Sequence, residues 1–368
     1  MKKSTTQHGA ILIIVLWFIV IIIVMVAALA GEIRLSAKIV LHNKIILDTW
    51  GDTLQALNAA QMELLINQMR DPIGEEEVPL EERREKAYRF NGQKLELAYS
   101  DYVPKTVTVR IYDHAGKIGL KGLLRNKNKL YQLLEKRIGK EPEKFDALYD
   151  AWTDWYDEDH LHSANGAEKD YYETQPIPYE PRNDRKLKIE TVEELLLIKG
   201  FDEVFKGVEI DTVFTIYHDR TAVNPNLATR EALMMIPGMN EEIATKILTE
   251  RRKKDLKRSD IQEMIEPEDF AEIRSWLNFS TSNFYTIAIQ VKNLEDIQNE
   301  DNQNEDFDTE ESETPDEETS SKPQEYQRAY MITVQPKGYN KLPKILRVEP
   351  YGMLPDTRHE NIPIEEVF

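Results

Sequence analysis

Apolar and polar positions change their pattern several times along the chain. From Ala10 to Ala30 no side chain carries a charge, a run of 21 residues. At a helical rise of about 1.5 Å per residue it spans about 30 Å, the thickness of a bilayer core. Helical spacing then continues with a polar side. Leu35, Ile39, Ile46, Leu54, Leu57 and Leu64 share one broad face, with Ala56, Ala59 and Ala60 beside them. No proline interrupts Ala10 to Asp71, so one long helix is expected, ending near Asp71 and Pro72. Its second half needs a partner for its apolar face. Alternation follows in LELAYS (Leu95–Ser100) and TVTVRIYD (Thr106–Asp113), which reads as a β-hairpin. Helical stretches then dominate: LYQLLEKRI, EKFDALYDAWTDWY and TVEELLLIKGF (Thr191–Phe201). Strand character returns at FYTIAIQV (Phe284–Val291), YMITVQP (Tyr330–Pro336) and KILRVEP (Lys344–Pro350). Strands that bracket a helical block predict a small antiparallel sheet packed on the exposed half of the first helix, with a helical domain inserted between its strands.

The first apolar run has three readings. Lys2 and Lys3 precede it, which keeps the N-terminus cytoplasmic and puts the bulk of the chain across the membrane. Ala28-Leu29-Ala30 has the form of a secretory cleavage site, but such signals have apolar regions of about 7–15 residues, and this one is longer. An uncut anchor is the plain alternative. The third reading comes from Gly9-Ala10, where a short basic leader ends in glycine directly before the run. That junction resembles the cut site of prepilin peptidase, which leaves the apolar helix at the mature N-terminus. Pilin-like subunits usually carry Glu at the fifth mature position, and here that position is Ile14.

Composition changes little in this picture. Net charge is −19 over 368 residues, but Leu294 to Tyr326 alone holds fourteen acidic residues against Lys322, leaving −6 for the rest. That acidic, Pro/Ser/Thr-containing stretch is expected to be a disordered linker between two strands. Acidity argues against nucleic acid as a partner. The chain has no cysteine, which excludes disulfides and thiol chemistry. A weak internal repeat relates Asp113–Leu134 to His218–Ile236, each running polar turn, short apolar strand, turn, helix, so two similar helical subdomains are expected.

Asp150–Glu173 packs eight carboxylates into 24 residues, interleaved with Trp and Tyr. Hard oxygen ligands at irregular spacing, with a turn at Asn165-Gly166, suit Ca²⁺ better than Zn²⁺. His160 and His162 keep a zinc site open, and a solvated acidic loop and a catalytic carboxylate pair are the other readings. LATREALMMIPGMNEEIATKILTERR (Leu227–Arg252) looks like a helix-hairpin-helix. Glu241 and Glu242 occupy the start of its second helix, where they favour the dipole and repel phosphate. Packing or protein binding is therefore preferred there over DNA binding. No nucleophile–base signature, phosphate loop or dinucleotide fingerprint is present, and nothing argues for an enzyme.

Taken together, Gly9-Ala10, ILIIVLW, DHAGKIGL, DWYDEDHLHSANGAEKDYY with PYEPRN (Pro178–Asn183), TVEELLLIKGF and VNPNLATREALMMIPGM resemble the K-type minor pseudopilins of bacterial type II secretion systems (general secretion pathway protein K) over most of residues 1–280. The resemblance implies an α+β fold. A long N-terminal transmembrane helix packs on a small antiparallel sheet, and a large α-helical insert holds two SAM-like or helix-hairpin-helix-like subdomains. The implied segments are a leader (1–9), the transmembrane (10–30) and periplasmic (31–71) parts of the helix, the first sheet part (72–114), the insert (115–280), a strand (281–293), the linker (294–327) and the last strands and tail (328–368). It also accounts for Ile14, since the K-type subunit lacks the glutamate that meets a neighbour's N-terminus, and a carboxylate in a bilayer is costly without a partner. Cleavage by prepilin peptidase at Gly9-Ala10, with methylation of the new N-terminus, is implied.

The implied role is a non-enzymatic cap at the tip of the periplasmic pseudopilus that helps initiate its assembly for protein export. The chain would sit in the inner membrane as a single-pass protein with a cytoplasmic N-terminus and its bulk in the periplasm. Implied partners are the I-, J- and H-type minor pseudopilins, the major pseudopilin and prepilin peptidase, without nucleic acid. Calcium is implied in the insert, with Asp154, Asp157, Asp159, Glu168 and Asp170 as ligands. Two features depart from the family pattern: Gly119 stands where Asn is usual, and the acidic linker is longer. A tip subunit of a related type IV pilus and a membrane-tethered DNA-uptake protein are the competing readings.

Overall fold

The structure is a computed structural model that describes residues 8–68, 90–95, 104, 107–159, 161–182, 189–291, 328–338 and 340–355. It divides into two compact units, Met1–Gln55 and Ala56–Phe368. The first unit is helix throughout its described length and belongs to α1 (His8–Gln68). Ile14–Leu41 within it has a mean hydropathy of 3.1 and is 0% buried by the protein. Gly9 and Ala10 lie in the first turn of α1, and the Ile14 side chain is 60% exposed. Length and apolarity suffice for a membrane span.

In the second unit, β1 (Asn91–Lys94) and β2 (Val107–Asp113) open a five-stranded sheet. Of the expected first strand, only Leu95 lies among the described residues, and β1 runs just before it. After β2 the chain enters the helical block, beginning with a 3-10 turn at His114–Gly116 and β3 (Ile118–Gly119). Four helices follow: α2 (Leu120–Arg125), α3 (Lys127–Ile138), α4 (Pro142–Tyr156) and α5 (Lys169–Glu173). A 3-10 turn at Val192–Leu197 leads to α6 (Phe201–Val204), α7 (Ile210–Val213) and β4 (Phe214–Thr215). The block closes with α8 (Arg230–Met235), α9 (Glu241–Lys253), α10 (Arg258–Met264) and α11 (Pro267–Ile273). The sheet is completed by β5 (Tyr285–Val291), β6 (Arg328–Gln335) and β7 (Lys344–Met353), in the order β1-β2-β5-β6-β7 with every pair antiparallel.

The sheet and the last turns of α1 make one core by the two periodicities of the sequence. Val107, Val109 and Ile111 face one side of β2 at period two, and Ile287, Ile289, Ile332 and Val334 extend that face. Ala56, Leu57, Ala60 and Leu64 cover it from α1. The alanines let the helix approach closely. Fold class is therefore mixed α and β, with an apolar N-terminal helix, an antiparallel sheet and many helices.

The helical block is inserted at one point of the sheet. Asp113 pairs with Tyr285 at the end of the β2–β5 ladder, so the chain leaves and returns side by side. Asp113 stitches the two exits together, accepting from Ala115 N at 2.8 Å, Ser282 N at 3.1 Å and Ser282 Oγ at 2.5 Å. Inside the insert β3 and β4 pair in parallel, and a single hydrophobic cluster runs from Ile118 to Leu277. The repeated segments thus share one core. Gly119 lies in this pairing. A Cβ there would meet the backbone oxygens of His218 and Arg220 at 2.5 Å, so the position has room only for hydrogen.

The segment Thr191–Phe201 departs from its helical reading. It forms a 3-10 turn, then reaches Gly200 at φ +81 before α6 begins. The short turn directs Glu194 inward, where it meets Trp155, Tyr156 and Arg182.

Candidate metal centre

Helix α4 sets the position of the carboxylates. Pro142 begins it at a position where no N–H is needed, and Phe145, Leu148, Ala151, Trp152 and Trp155 bury its inner face. Asp154 lies on that face and is 0% exposed. Its carboxylate accepts from Ser163 N at 3.1–3.2 Å and Ser163 Oγ at 2.5 Å, which folds the following loop back onto the helix. Asn165 N donates to Asp150 Oδ2 at 3.1 Å, and Lys199 Nζ donates to the oxygens of Asn165 and Gly166 at 3.3 and 3.0 Å. Gly166 is required here, because a Cβ would run into the Asp154 carboxylate.

The fold-back brings Glu168, at the N-cap of α5, beside Asp154 and Asp157. One carboxylate oxygen from each of these three lies within 4.8 Å of the others. Glu168 is 3% exposed and Asp157 is half-buried. Three converging carboxylates, two of them buried, form an oxygen-only donor set that fits a hard divalent cation. Of the five residues expected from the sequence, Asp154, Asp157 and Glu168 come together. Asp159 accepts from Leu161 N at 2.9 Å in an exposed turn. Asp170 is exposed and pairs with His162 Nε2 at 3.1 Å. His160 lies outside the described residues.

A second carboxylate group, Glu193, Asp211 and Glu349, already holds a cation of the protein itself. Arg347 lies among them, 2.8 Å from Glu193 and 3.6 Å from Asp211, and also pairs with Glu349. Burial pushes Asp211 up to about 7, with Glu193 and Glu349 adding to the shift. The helix-hairpin-helix segment is likewise internally satisfied. Asn240 caps α9 by accepting from Ile243 N, Glu241 pairs with Arg230, and Arg251 turns inward to the oxygens of Pro225 and Ala228.

Residues 119–206, which span the carboxylate triad, match the family model of type II secretion system (T2SS), protein K. That stretch is similar to the protein K family. The type II secretion system protein K of Pectobacterium carotovorum subsp. carotovorum is 33% identical over 100 residues, which is 27% of this chain. That match spans 30% of the relative's length. Among solved structures, the GspK-GspI-GspJ complex from the enterotoxigenic Escherichia coli type 2 secretion system is similar at 12% identity and a TM-score of 0.43, covering 67% of this chain and 80% of that chain. The matched stretch contains Asp154, Asp157 and Glu168, and also Arg182, Glu194 and Lys199, which sequence patterning did not single out as functional. Glu194 directly follows Glu193, and Arg182 lies close to Arg185 and Lys186, so nothing in the local pattern set them apart.

Proposed function

We propose that the chain is a minor pseudopilin of a type II secretion system, a non-enzymatic subunit that caps the pseudopilus tip and helps initiate its assembly. The observation that carries this reading is the stretch similar to protein K, inserted into an antiparallel sheet that packs on Ala56–Leu64 of α1, in a chain whose N-terminal part is an apolar helix. A helical insert rooted at the β2–β5 exit adds bulk to one side of the sheet, which suits a terminal subunit better than a repeating one. The partners in this reading are the I-, J- and H-type minor pseudopilins, the major pseudopilin and prepilin peptidase. The chain is anchored in the inner membrane with its N-terminus cytoplasmic and its bulk in the periplasm. Internal pairing of Glu241 with Arg230 at the start of α9 weighs against the DNA-uptake alternative.

Calcium belongs to the same proposal. Asp154, Asp157 and Glu168 would hold it, and when bound it would offset most of the charge of three converging carboxylates and tie α4 to the loop and α5. The protein's own part is to bring those oxygens together through Ser163, Gly166 and Lys199.

The deciding experiment is mass spectrometry of the mature N-terminus, with and without prepilin peptidase. A peptidase-dependent start at Ala10, N-methylated, supports assembly as a pseudopilin. An intact Met1, or a start at Gly31, would refute it.

A further inference from the structure

Asp154 and Asp157 are separated only by Trp155 and Tyr156, so their spacing depends on how α4 ends. Asp157 closes the helix, its N–H donating to Thr153 O at 3.0 Å, while its own backbone is extended at φ −74, ψ 165. One helical and one extended carboxylate converge only if that last turn is held at a fixed place. The hold comes from another part of the chain. Trp155 Nε1 and Tyr156 OH both donate to Glu194 Oε1, at 3.2 and 2.9 Å. Arg182 grips the same carboxylate with both arms of its fork, Nε to Oε1 at 3.0 Å and Nη2 to Oε2 at 2.6 Å. Glu190 N adds a bond to Oε2 at 3.4 Å. The Glu194 side chain is 7% exposed and that of Arg182 27%. The same stretch also reaches the other ligand. Trp155 stacks edge-on to Tyr172 at 5.0 Å, Lys199 N donates to the Tyr172 hydroxyl at 3.3 Å, and Lys199 Nζ holds the Asn165-Gly166 turn that leads to Glu168.

We propose that Arg182 and Glu194 are positioning residues of the metal centre: their partly buried ion pair fixes the last turn of α4 and thereby the separation of the Asp154 and Asp157 carboxylates. This rests on the calcium reading above. It gives the PYEPRN and TVEELLL segments a joint role that neither has alone. The coupling is reciprocal: whatever tightens the Arg182–Glu194 pair favours the cation, and cation binding tightens the pair by the same factor. A packing role alone would leave cation affinity untouched in a folded variant.

The test is calorimetric titration of calcium into the full-length chain in detergent micelles, for wild type, R182M, R182K and E194Q, with folding checked by circular dichroism. Outer partners of metal ligands typically contribute about 10- to 100-fold in affinity, and R182M and E194Q should weaken calcium binding by that order. R182K should fall between, since an ammonium keeps the charge and loses the fork. The R182M/E194Q double variant should lose little beyond either single one, because both remove the same pair. Unchanged calcium affinity in folded R182M or E194Q overturns the positioning role while leaving the calcium reading intact. No calcium heat in wild type overturns both. Should R182M fail to fold, R182K and E194Q carry the same comparison.

Discussion

Charging His114 should destabilise the protein, and the cost can be worked from its surroundings. The ring is 3% exposed, at the root of the insert. Nδ1 meets Thr215 Oγ1 at 2.8 Å and Nε2 meets Thr286 Oγ1 at 2.9 Å, so both nitrogens are engaged by hydroxyls that suit a neutral imidazole. Burial holds its pKa well below the ordinary 6.5, and the nearby Lys117 and His218 push it further down. The unfolded chain protonates freely below about 6.5, whereas the folded chain does not. Stability is therefore fully present above that pH and is lost as pH falls below it. Between about pH 7.5 and about pH 5 this single group should remove about 2 kcal/mol. In a protein of this size that lowers the melting temperature by about 3–5 °C. The assay is thermal or denaturant unfolding of the full-length chain in detergent across that range, for wild type and His114→Asn. Asn retains one of the two bonds, costs about 1 kcal/mol at neutral pH and cannot charge. The gap between the two proteins should close, then reverse, on acidification. Parallel stability curves would show that His114 is protonated in the fold or accessible to water, and the reasoning would fail.

Three further outcomes follow from single contacts. Gly166→Ala should displace the Asp154 carboxylate, lowering stability by about 1–3 kcal/mol and abolishing any melting shift between calcium and chelator; a retained shift would remove Asp154 from the site. Gly119→Asn should destabilise by about 1–3 kcal/mol through collision with the His218 and Arg220 carbonyls, and a neutral or stabilising effect on denaturant unfolding would contradict that packing. Asp211 holds its proton in the fold from its ordinary 3.8 to about 7, so its contribution to stability declines as pH rises through that window. With 47% of its side chain exposed, solvent screening limits the effect to about 1 kcal/mol, and Asp211→Asn should flatten it; an unchanged pH slope would refute the assignment.

The elements differ in how far local pattern could announce them. An uncharged run of 21 residues and the continued 3.6-residue spacing to Leu64 require no fold to be read, because hydrophobic length and helical period are properties of the chain alone. The same holds for β2, β5 and β6, whose alternation survives in the core they share with α1. α4 was legible as an amphipathic helix and Asp150–Glu173 as a carboxylate-rich loop. Which carboxylates converge was not, because convergence depends on a backbone that turns at Gly166 and is pinned by Ser163 and Lys199. Asp159 and Asp170 are chemically equivalent to the three that meet, and only the fold sends them outward to Leu161 N and His162. Thr191–Phe201 has a helical period, yet the inward demand of Trp155, Tyr156 and Arg182 on Glu194 accompanies a tighter turn. Sequence determined the elements and their apolar faces, since those depend on neighbours a few positions away. Tertiary structure alone decided which charges face one another, since Arg182 and Glu194, or Asp113 and Ser282, are brought together by loop closure and not by spacing along the chain.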